Sequence, residues 1–526
     1  MSLIIDRKEY KNLTEIESFN PADLSKLGSV SVFDEKMVND TVQKAKHTFY
    51  SWSNITWEER AKYILKAKDY ILKNIDHIAE VITKENGKPL VESVTAEILP
   101  VLDLMLHYGK NKAEIITKEE INLGKWSLLN KSSYIEYKPL GVIGVISPWN
   151  YPFSIPMGQI ITALITGNTV VLKPSEQTSL IGVEIENIFK GIDLPEGVFN
   201  LVTGFGETGG FLVKSSVNKI FFTGSVATGK RIMASASENL TPVVLELGGK
   251  DPMIVCEDVN IDIVSSGAVW GAFTNSGQVC ASVERLYVHE NIADEFTYEV
   301  VKKTKKLKQG NGLDKNNDLG PMISIEQMGI VQSHLDDAIS RGAKILSGGE
   351  RNTALEGFFF KPTILTNVDH SFKVVSEETF GPVLPIMTYK NVEDVIKLAN
   401  DSKYALTASV WSNNINKAEK IAKKIEAGTV SINDCISTFA LCQTPWGGPK
   451  ESGIGRTHGK IGVLEFLEAK HIHTDKGTYM KKFWWFGYDS NRFDMMKKSL
   501  NILYNPINSI SSVPDLIKEF MKNKVL

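Results

Sequence analysis

The sequence predicts an α/β chain with two doubly wound parallel-sheet domains, and three observations carry that reading. Short apolar runs at 168–172, 198–202, 219–222, 243–247 and 253–255 are mostly separated by helix-length segments, the sequence form of a parallel sheet covered on both faces. A second series of the same kind follows Cys280, at 285–288, 361–364, 383–388, 409–411 and 429–432. Ahead of both, between 38 and 116, apolar residues recur at three- and four-residue intervals, as in Ala61, Ile64, Leu65, Ile71, Leu72 and Ile75, then Ile78, Val81 and Ile82. That stretch reads as a run of amphipathic helices. After Lys125 the pattern becomes extended, with Tyr134, Ile135, Glu136 and Tyr137 and then 141–147.

Composition narrows the function. Across 526 residues, 59 basic and 62 acidic side chains leave a formal charge of −3, so no global field exists to hold nucleic acid. The four cysteines, Cys256, Cys280, Cys435 and Cys442, form no Cys-x-x-Cys pair, which argues against a disulfide scaffold or a thiolate zinc site. Asp6, Arg7, Lys8 and Glu9 interrupt the place of a secretory signal. The longest apolar run, 140–149, is broken by Gly141, Gly144 and Pro148 and falls short of the ~18 residues of a spanning helix. The expectation is a soluble, cytoplasmic protein without a metal; His471 and His473 lack further clustered ligands.

Three glycine patterns follow predicted strands. Gly204, Gly206 and Gly209 satisfy Gly-x-Gly-x-x-Gly without the acidic residue expected about 20 positions later, so a plain turn is an equal reading. Gly224 to Gly229 and Lys230 nearly spell a phosphate loop, but Arg231 stands where magnesium would need a hydroxyl. A strand, a glycine turn and a helix N-terminus remain, which suit a pyrophosphate without a metal. Gly248-Gly249 bends the chain directly after Glu246, leaving that carboxylate at a strand end, where it is either working or capping a neighbouring helix. Cys280 follows Gly277-Gln278-Val279; taken alone it is a small buried hydrophobe, and in a polar, cationic setting a nucleophile. Lys173 and Glu176 are either a solvated strand end or ligands for ribose hydroxyls.

Taken together, Pro148-Trp149-Asn150-Tyr151-Pro152, Lys173-Pro174-Ser175-Glu176, Phe222-Thr223-Gly224-Ser225, Glu246-Leu247-Gly248-Gly249-Lys250, Gly277-Gln278-Val279-Cys280, Glu378-Thr379-Phe380-Gly381-Pro382 and Pro445-Trp446-Gly447-Gly448 resemble the NAD(P)-dependent aldehyde dehydrogenase superfamily, in that family's order, from about 45 to 470. The resemblance implies that Cys280 attacks an aldehyde, that the Asn150 amide and the Cys280 N–H hold the oxyanion, and that hydride passes to the nicotinamide. Glu246, 34 positions before the nucleophile, would then activate water against the thioester. It assigns Lys173 and Glu176 to the adenosine ribose, Gly224, Ser225 and Gly229 to the pyrophosphate turn, and Glu378 and Phe380 to the nicotinamide end. Trp149, Gly206 and Leu247 line the same groove.

A carboxylate at Glu176 repels a 2′-phosphate, so NAD is expected over NADP, although some relatives with this glutamate use both. Many family members carry a lysine where Gln159 stands; Gln159 and Tyr151 are similar to the branch with fatty and aromatic aldehyde dehydrogenases, and Pro445-Trp446 replaces the common Pro-Phe. The expected substrate is a medium- or long-chain aliphatic or aromatic aldehyde. The alternatives are a CoA-acylating enzyme, against which Glu246 counts, a semialdehyde-specific dehydrogenase, or a non-catalytic binding protein on the same fold.

The expected organisation is a dinucleotide-binding domain of 1–124 and 142–247, a catalytic domain of 248–449, and bridging or oligomerisation elements at 125–141 and 456–475 in a homodimer or homotetramer. In the tail, 476–526, Phe483, Trp484, Trp485, Phe486 and Tyr488 stand beside Lys481, Lys482 and Arg492. That pairing suits peripheral contact with a membrane or a lid over an apolar tunnel, or else packing on the protein itself.

Overall fold

The computed structural model describes residues 13–112, 118–476, 482, 484–505, 514 and 518. The expectations for 1–12, for Lys481 and for Phe483 lie outside the described residues. The chain forms two compact units, Met1–Ile116 with Lys138–Glu468, and Thr117–Tyr137 with Ala469–Leu526.

In the larger unit the predicted helical run is Glu35–Asn54, Trp57–Lys73, Ile75–Asn86 and Leu99–Lys110. Each boundary has a local cause. Asp34 accepts from the Met37 N–H, Thr56 and Glu59 form a reciprocal capping box, and Gly87 closes the third helix in the left-handed region at φ 96°. The apolar stripe of the second helix, Ala61, Ile64, Ala67 and Ile71, is buried in one cluster with Ile160, Leu164, Val170 and Leu172. A wider, π-helical turn at Ser93–Ile98 precedes Leu99 and is not announced by any apolar period.

Among the described residues, one six-stranded sheet runs in the order Gly453–Ile454, Val243–Glu246, Lys219–Thr223, Val142–Ile146, Thr169–Lys173, Phe199–Leu201. Its strands are parallel except for Gly453–Ile454, which pairs antiparallel to Val243–Glu246. The winding goes outward from Val142–Ile146 and then crosses back to Lys219–Thr223. The switch point therefore lies between those two strands, where an α/β sheet opens a crevice at the carboxyl ends. A seven-stranded sheet contains Asp251–Val255 and Val283–His289 side by side, with Val383–Tyr389 and Thr363–Thr366 beyond one and Thr407–Trp411 and Thr429–Ile432 beyond the other. The run at 253–255, first-series by position along the chain, is thus central in the second sheet.

In the smaller unit the bridging elements differ from expectation. Gly124–Leu129 is a 3-10 turn rather than strand, Lys131–Pro139 is the strand, and it pairs antiparallel with Lys118–Ile121, which the sequence did not flag. Lys-Glu-Glu-Ile is an exposed edge without an apolar alternation, so it carries no strand signal. Leu467–Asp475 completes this sheet, while the chain just before it, Gly459–Leu464, is a helix that buries Val463. In the tail, Ser490–Tyr504 is helical, Trp484 meets Trp126 edge-on at 6.1 Å, and the Lys131 ammonium lies 4.9 Å from the Trp484 ring centre.

Candidate active site

Four of the sequence motifs end parallel strands on one side of the six-stranded sheet. Val142–Ile146 leads into Trp149 and Asn150, Thr169–Lys173 ends on Lys173, Lys219–Thr223 leads into Gly224 and Ser225, and Val243–Glu246 ends on Glu246. Period-two pairing of parallel neighbours makes these ends coincide: Ile146 lies opposite Lys173 and Phe222, and Thr223 opposite Glu246.

Close backbone approach then joins the two sheets. A methyl group on Gly249 would sit 2.2 Å from the Cys280 carbonyl oxygen, and one on Gly248 would sit 2.4 Å from the Glu378 carboxylate. At Gly249 the neighbour is backbone, so only glycine permits that approach. The Gly249 N–H donates to Glu378 Oε1 at 2.9 Å. The bend after Glu246 therefore brings the Cys280 and Glu378 segments against one turn.

Asn150 is buried and its Nδ2 donates to the Gln278 carbonyl at 3.1 Å, two residues before Cys280. Its own carbonyl collects Lys88 Nζ at 2.8 Å and Asn275 Nδ2 at 3.0 Å. The loop before the cysteine is held in an unusual shape. Asn275, Ser276 and Gly277 all have positive φ, 50°, 54° and 72°, and Glu92 fixes its start by accepting from Thr274 Oγ1 at 2.9 Å and the Asn275 N–H at 3.0 Å. Glu97 accepts from Lys88 Nζ at 2.7 Å and from the Ser154 N–H at 2.8 Å, where the helix Ser154–Ile165 begins. Sequence reasoning missed Glu92, Glu97 and Lys88. Charged residues in a helical run read as solvated faces, and only the fold shows Lys88 and Glu97 buried and Glu92 bonded to the loop before Cys280.

Glu246 is buried between two hydroxyls. Thr223 Oγ1 donates to its Oε2 at 3.0 Å, Thr457 Oγ1 donates to its Oε1, and Gln159 Nε2 donates to Thr223 Oγ1 at 3.2 Å. Burial raises the Glu246 carboxyl above its ordinary range, and both hydroxyls pull it back. The Cys280 thiol is free and partly accessible. Burial, and then the charges of Glu246, Asp251 and Glu378, push it well above an ordinary thiol. Iodoacetamide alkylation of Cys280 in the ligand-free protein is therefore expected to keep rising with pH beyond about 8.5, the ordinary midpoint. A plateau at or below that value would contradict this electrostatic setting.

The cofactor candidates fall in two groups. Lys173 is buried and its Nζ lies 3.2 Å from Glu176 Oε2. Ser225 caps the helix Val226–Ala236 through the Thr228 N–H, with Gly224 just ahead of it, and Gly206 opens the helix Gly206–Lys214 after Phe199–Leu201. Gly229 sits inside its helix against Leu247, whose Cδ2 would be 2.6 Å from an added methyl group. Glu378 and Phe380 form the second group with Trp149, whose ring meets Phe380 edge-on at 5.3 Å. Burial and the Glu284 charge push the Glu378 carboxyl up to about 8. Cys280 packs against a small apolar cluster of Val279, Ala281, Leu406 and Trp446, which Tyr151, Ile436 and Phe439 also cover.

The family model for the aldehyde dehydrogenase family matches residues 8–472. Among curated proteins, the chain is 38% identical over 492 residues to a 4,4'-diapolycopene aldehyde oxidase from a Methylomonas species, covering 94% of this chain and 92% of that protein. It is also 38% identical to betaine aldehyde dehydrogenase of Bacillus subtilis, over 86% of this chain and 93% of that one. A rice mitochondrial succinate-semialdehyde dehydrogenase matches at 35%, covering 87% of this chain and 86% of that one. Among solved structures, betaine aldehyde dehydrogenase from Staphylococcus aureus in complex with NAD+ superimposes with a TM-score of 0.85 at 35% identity, covering 91% of this chain and 95% of that one.

Proposed function

The chain belongs to the aldehyde dehydrogenase family, and from that premise we propose that it oxidises an apolar aldehyde to the carboxylic acid with NAD as hydride acceptor. The observation that carries the proposal is the glycine bend at 248–249, which brings the strand end at Glu246 against the Cys280 backbone, beside Asn150.

Cys280 adds to the aldehyde carbon, and the Asn150 amide with the Cys280 N–H stabilises the oxygen that becomes charged. When bound, NAD supplies the acceptor for the hydride. Lys173 and Glu176 would hold the adenosine ribose, Gly224 and Ser225 would offer a capped helix start to the pyrophosphate with Gly229 one turn further in, and Trp149, Gly206, Leu247, Glu378 and Phe380 would line the rest of the groove. The S. aureus relative was solved with NAD+. The Glu176 carboxylate supports NAD over NADP through charge repulsion with a 2′-phosphate. Glu246 takes the proton of the water that cleaves the thioester.

The apolar packing around Cys280 supports a medium- or long-chain or aromatic aldehyde, and so does similarity to an enzyme whose name carries diapolycopene aldehyde. The semialdehyde alternative has the rice relative in its favour. Against it, the cation beside Tyr151 is Lys88, 3.9 Å from the ring centre, and that ammonium is already held by Glu97 and the Asn150 carbonyl. We assign dinucleotide binding to 1–124 and 142–247, catalysis to 248–449, and bridging to 125–141 and 456–475 in a homodimer or homotetramer.

We place the protein in the cytoplasm with its tail, 476–526, in peripheral contact with a membrane. Among the described residues no helix is long and apolar enough to cross one. Phe486 is 93% exposed, with Trp485, Tyr488 and Phe493 exposed nearby and Arg492 among them, an arrangement suited to an anionic lipid interface.

The test is NADH formation from NAD, and separately NADPH from NADP, across aliphatic and aromatic aldehydes of increasing length, with anionic phospholipid vesicles present and absent. Rates that rise with chain length, with NAD preferred, are expected, and the protein should sediment with the vesicles. Activity confined to semialdehydes or betaine aldehyde would overturn the substrate reading, and protein left wholly in the supernatant would overturn the membrane reading.

A further inference from the structure

The segment that carries Glu378 and Phe380 belongs to neither a strand nor a helix. It lies between the short helix Lys373–Ser376 and the strand Val383–Tyr389. Phe380 has φ 51°, a conformation that a non-glycine residue keeps only when its surroundings hold it there.

Gln327 holds the segment's carbonyls, with Nε2 donating to Thr379 O at 3.3 Å and Phe380 O at 3.1 Å, and a buried ion pair holds its N–H groups. Glu284, on Val283–His289, accepts the Thr379 N–H at 2.8 Å on Oε2 and the Phe380 N–H at 3.0 Å on Oε1. Lys250 Nζ donates to the same Glu284 carboxylate and to Thr379 Oγ1 at 3.0 Å. The two side chains are 1% and 2% exposed. Lys250 is itself anchored, since Arg285 Nε donates to its carbonyl at 2.7 Å. It also directly follows Gly249, which donates to Glu378 and abuts the Cys280 carbonyl. One charge pair thus spans the Gly248–Lys250 bend, the strand Val283–His289 that follows Cys280, and the 378–380 segment.

Desolvation of a pair with that burial can cancel what the pairing returns, so it is weak evidence of stabilisation; its visible effect is geometric, since both partners bond to Thr379. We propose that Lys250 and Glu284 are positioning residues for hydride transfer: they fix the 378–380 segment, and with it the nicotinamide end of the cofactor groove, against Cys280. The proposal rests on the dehydrogenase reading above. It leaves the adenosine end, at Lys173 and Glu176, and the pyrophosphate turn at Ser225 unaffected.

Glu284→Gln in the full chain tests it. The amide keeps the volume but offers one acceptor oxygen where the carboxylate offers two. The expected pattern is kcat down about 10- to 100-fold, the scale of a small misplacement of reacting groups, and a larger primary isotope effect with aldehyde deuterated at C1. NAD affinity by fluorescence quenching should stay within about threefold, and the rate of Cys280 alkylation by iodoacetamide should not change. Thr379→Val removes the hydroxyl that Lys250 Nζ reaches at 3.0 Å and that His334 Nδ1 meets at 3.1 Å. It should show the same split at smaller size and decides the matter if Glu284→Gln does not fold.

Unchanged kcat and isotope effect in the folded variants would overturn the proposal. So would parallel losses of kcat, NAD affinity and alkylation, which mark a merely structural pair. A wild-type chain that forms no NADH from any aldehyde overturns the functional reading itself, before a variant is made, and this inference with it.

Discussion

Cys280→Ser is expected to lower NADH formation by at least ~10⁴-fold, the scale seen when a nucleophile is removed from a preorganised site. NAD binding should stay intact, because Lys173, Glu176 and Ser225 lie on other strands and helices. The physical reason is the nucleophile. In this pocket even the thiol is held well above its ordinary range by burial and by Glu246, Asp251 and Glu378, and a serine hydroxyl is far less acidic still. The side chain is half-buried and makes no packing contribution that the smaller hydroxyl cannot approximate, so the variant should fold. Substantial activity in Cys280→Ser, measured as NADH absorbance with the best aldehyde of the series, would remove this residue from the chemistry.

Glu246→Gln should separate the two halves of the reaction. The amide can still accept from one of the two hydroxyls, Thr223 or Thr457, but cannot take a proton from water. The first turnover, up to the thioester on Cys280, should proceed, giving a burst approaching one NADH per subunit. Steady-state turnover should then fall by about 10²–10⁴-fold, the usual contribution of a general base. Rapid mixing of enzyme, NAD and aldehyde reads both phases. A variant without a burst places Glu246 before hydride transfer rather than after it. A wild-type enzyme whose turnover depends on added CoA would move the chain to the acylating branch, where the base is dispensable.

Much of the architecture was legible in the sequence because burial leaves a period behind it. Runs such as Thr169–Lys173 and Lys219–Thr223 are apolar on both faces, and the helices before them repeat at three and four, so the alternation of elements could be read directly. Cys280, Glu246 and Asn150 were legible for a different reason. Each sits in a short motif whose neighbours are constrained, a glycine bend after Glu246 and a glycine three residues before Cys280.

The missed elements were those whose residues are exposed or charged. Lys118–Ile121 pairs as an edge strand through its backbone alone, and no apolar pattern reports that. Glu92, Glu97, Lys88, Lys250 and Glu284 look like surface charges along the chain. All but the half-buried Glu92 are buried because segments far apart in sequence close over them, as at Glu284 and Thr379, 95 residues apart.

By itself, then, the sequence determined the α/β alternation and the family, and it singled out Cys280, Glu246 and Asn150 as the candidates for nucleophile, base and oxyanion donor, since each of these readings is written in local periodicity or in a short motif. Only the tertiary structure decided how those groups are held: which hydroxyls tune Glu246, which carboxylates raise Cys280, and which buried ion pair grips the 378–380 segment. Those interactions join residues tens to hundreds of positions apart. Their energies depend on distance and on exclusion of water, and no spacing along the chain encodes either.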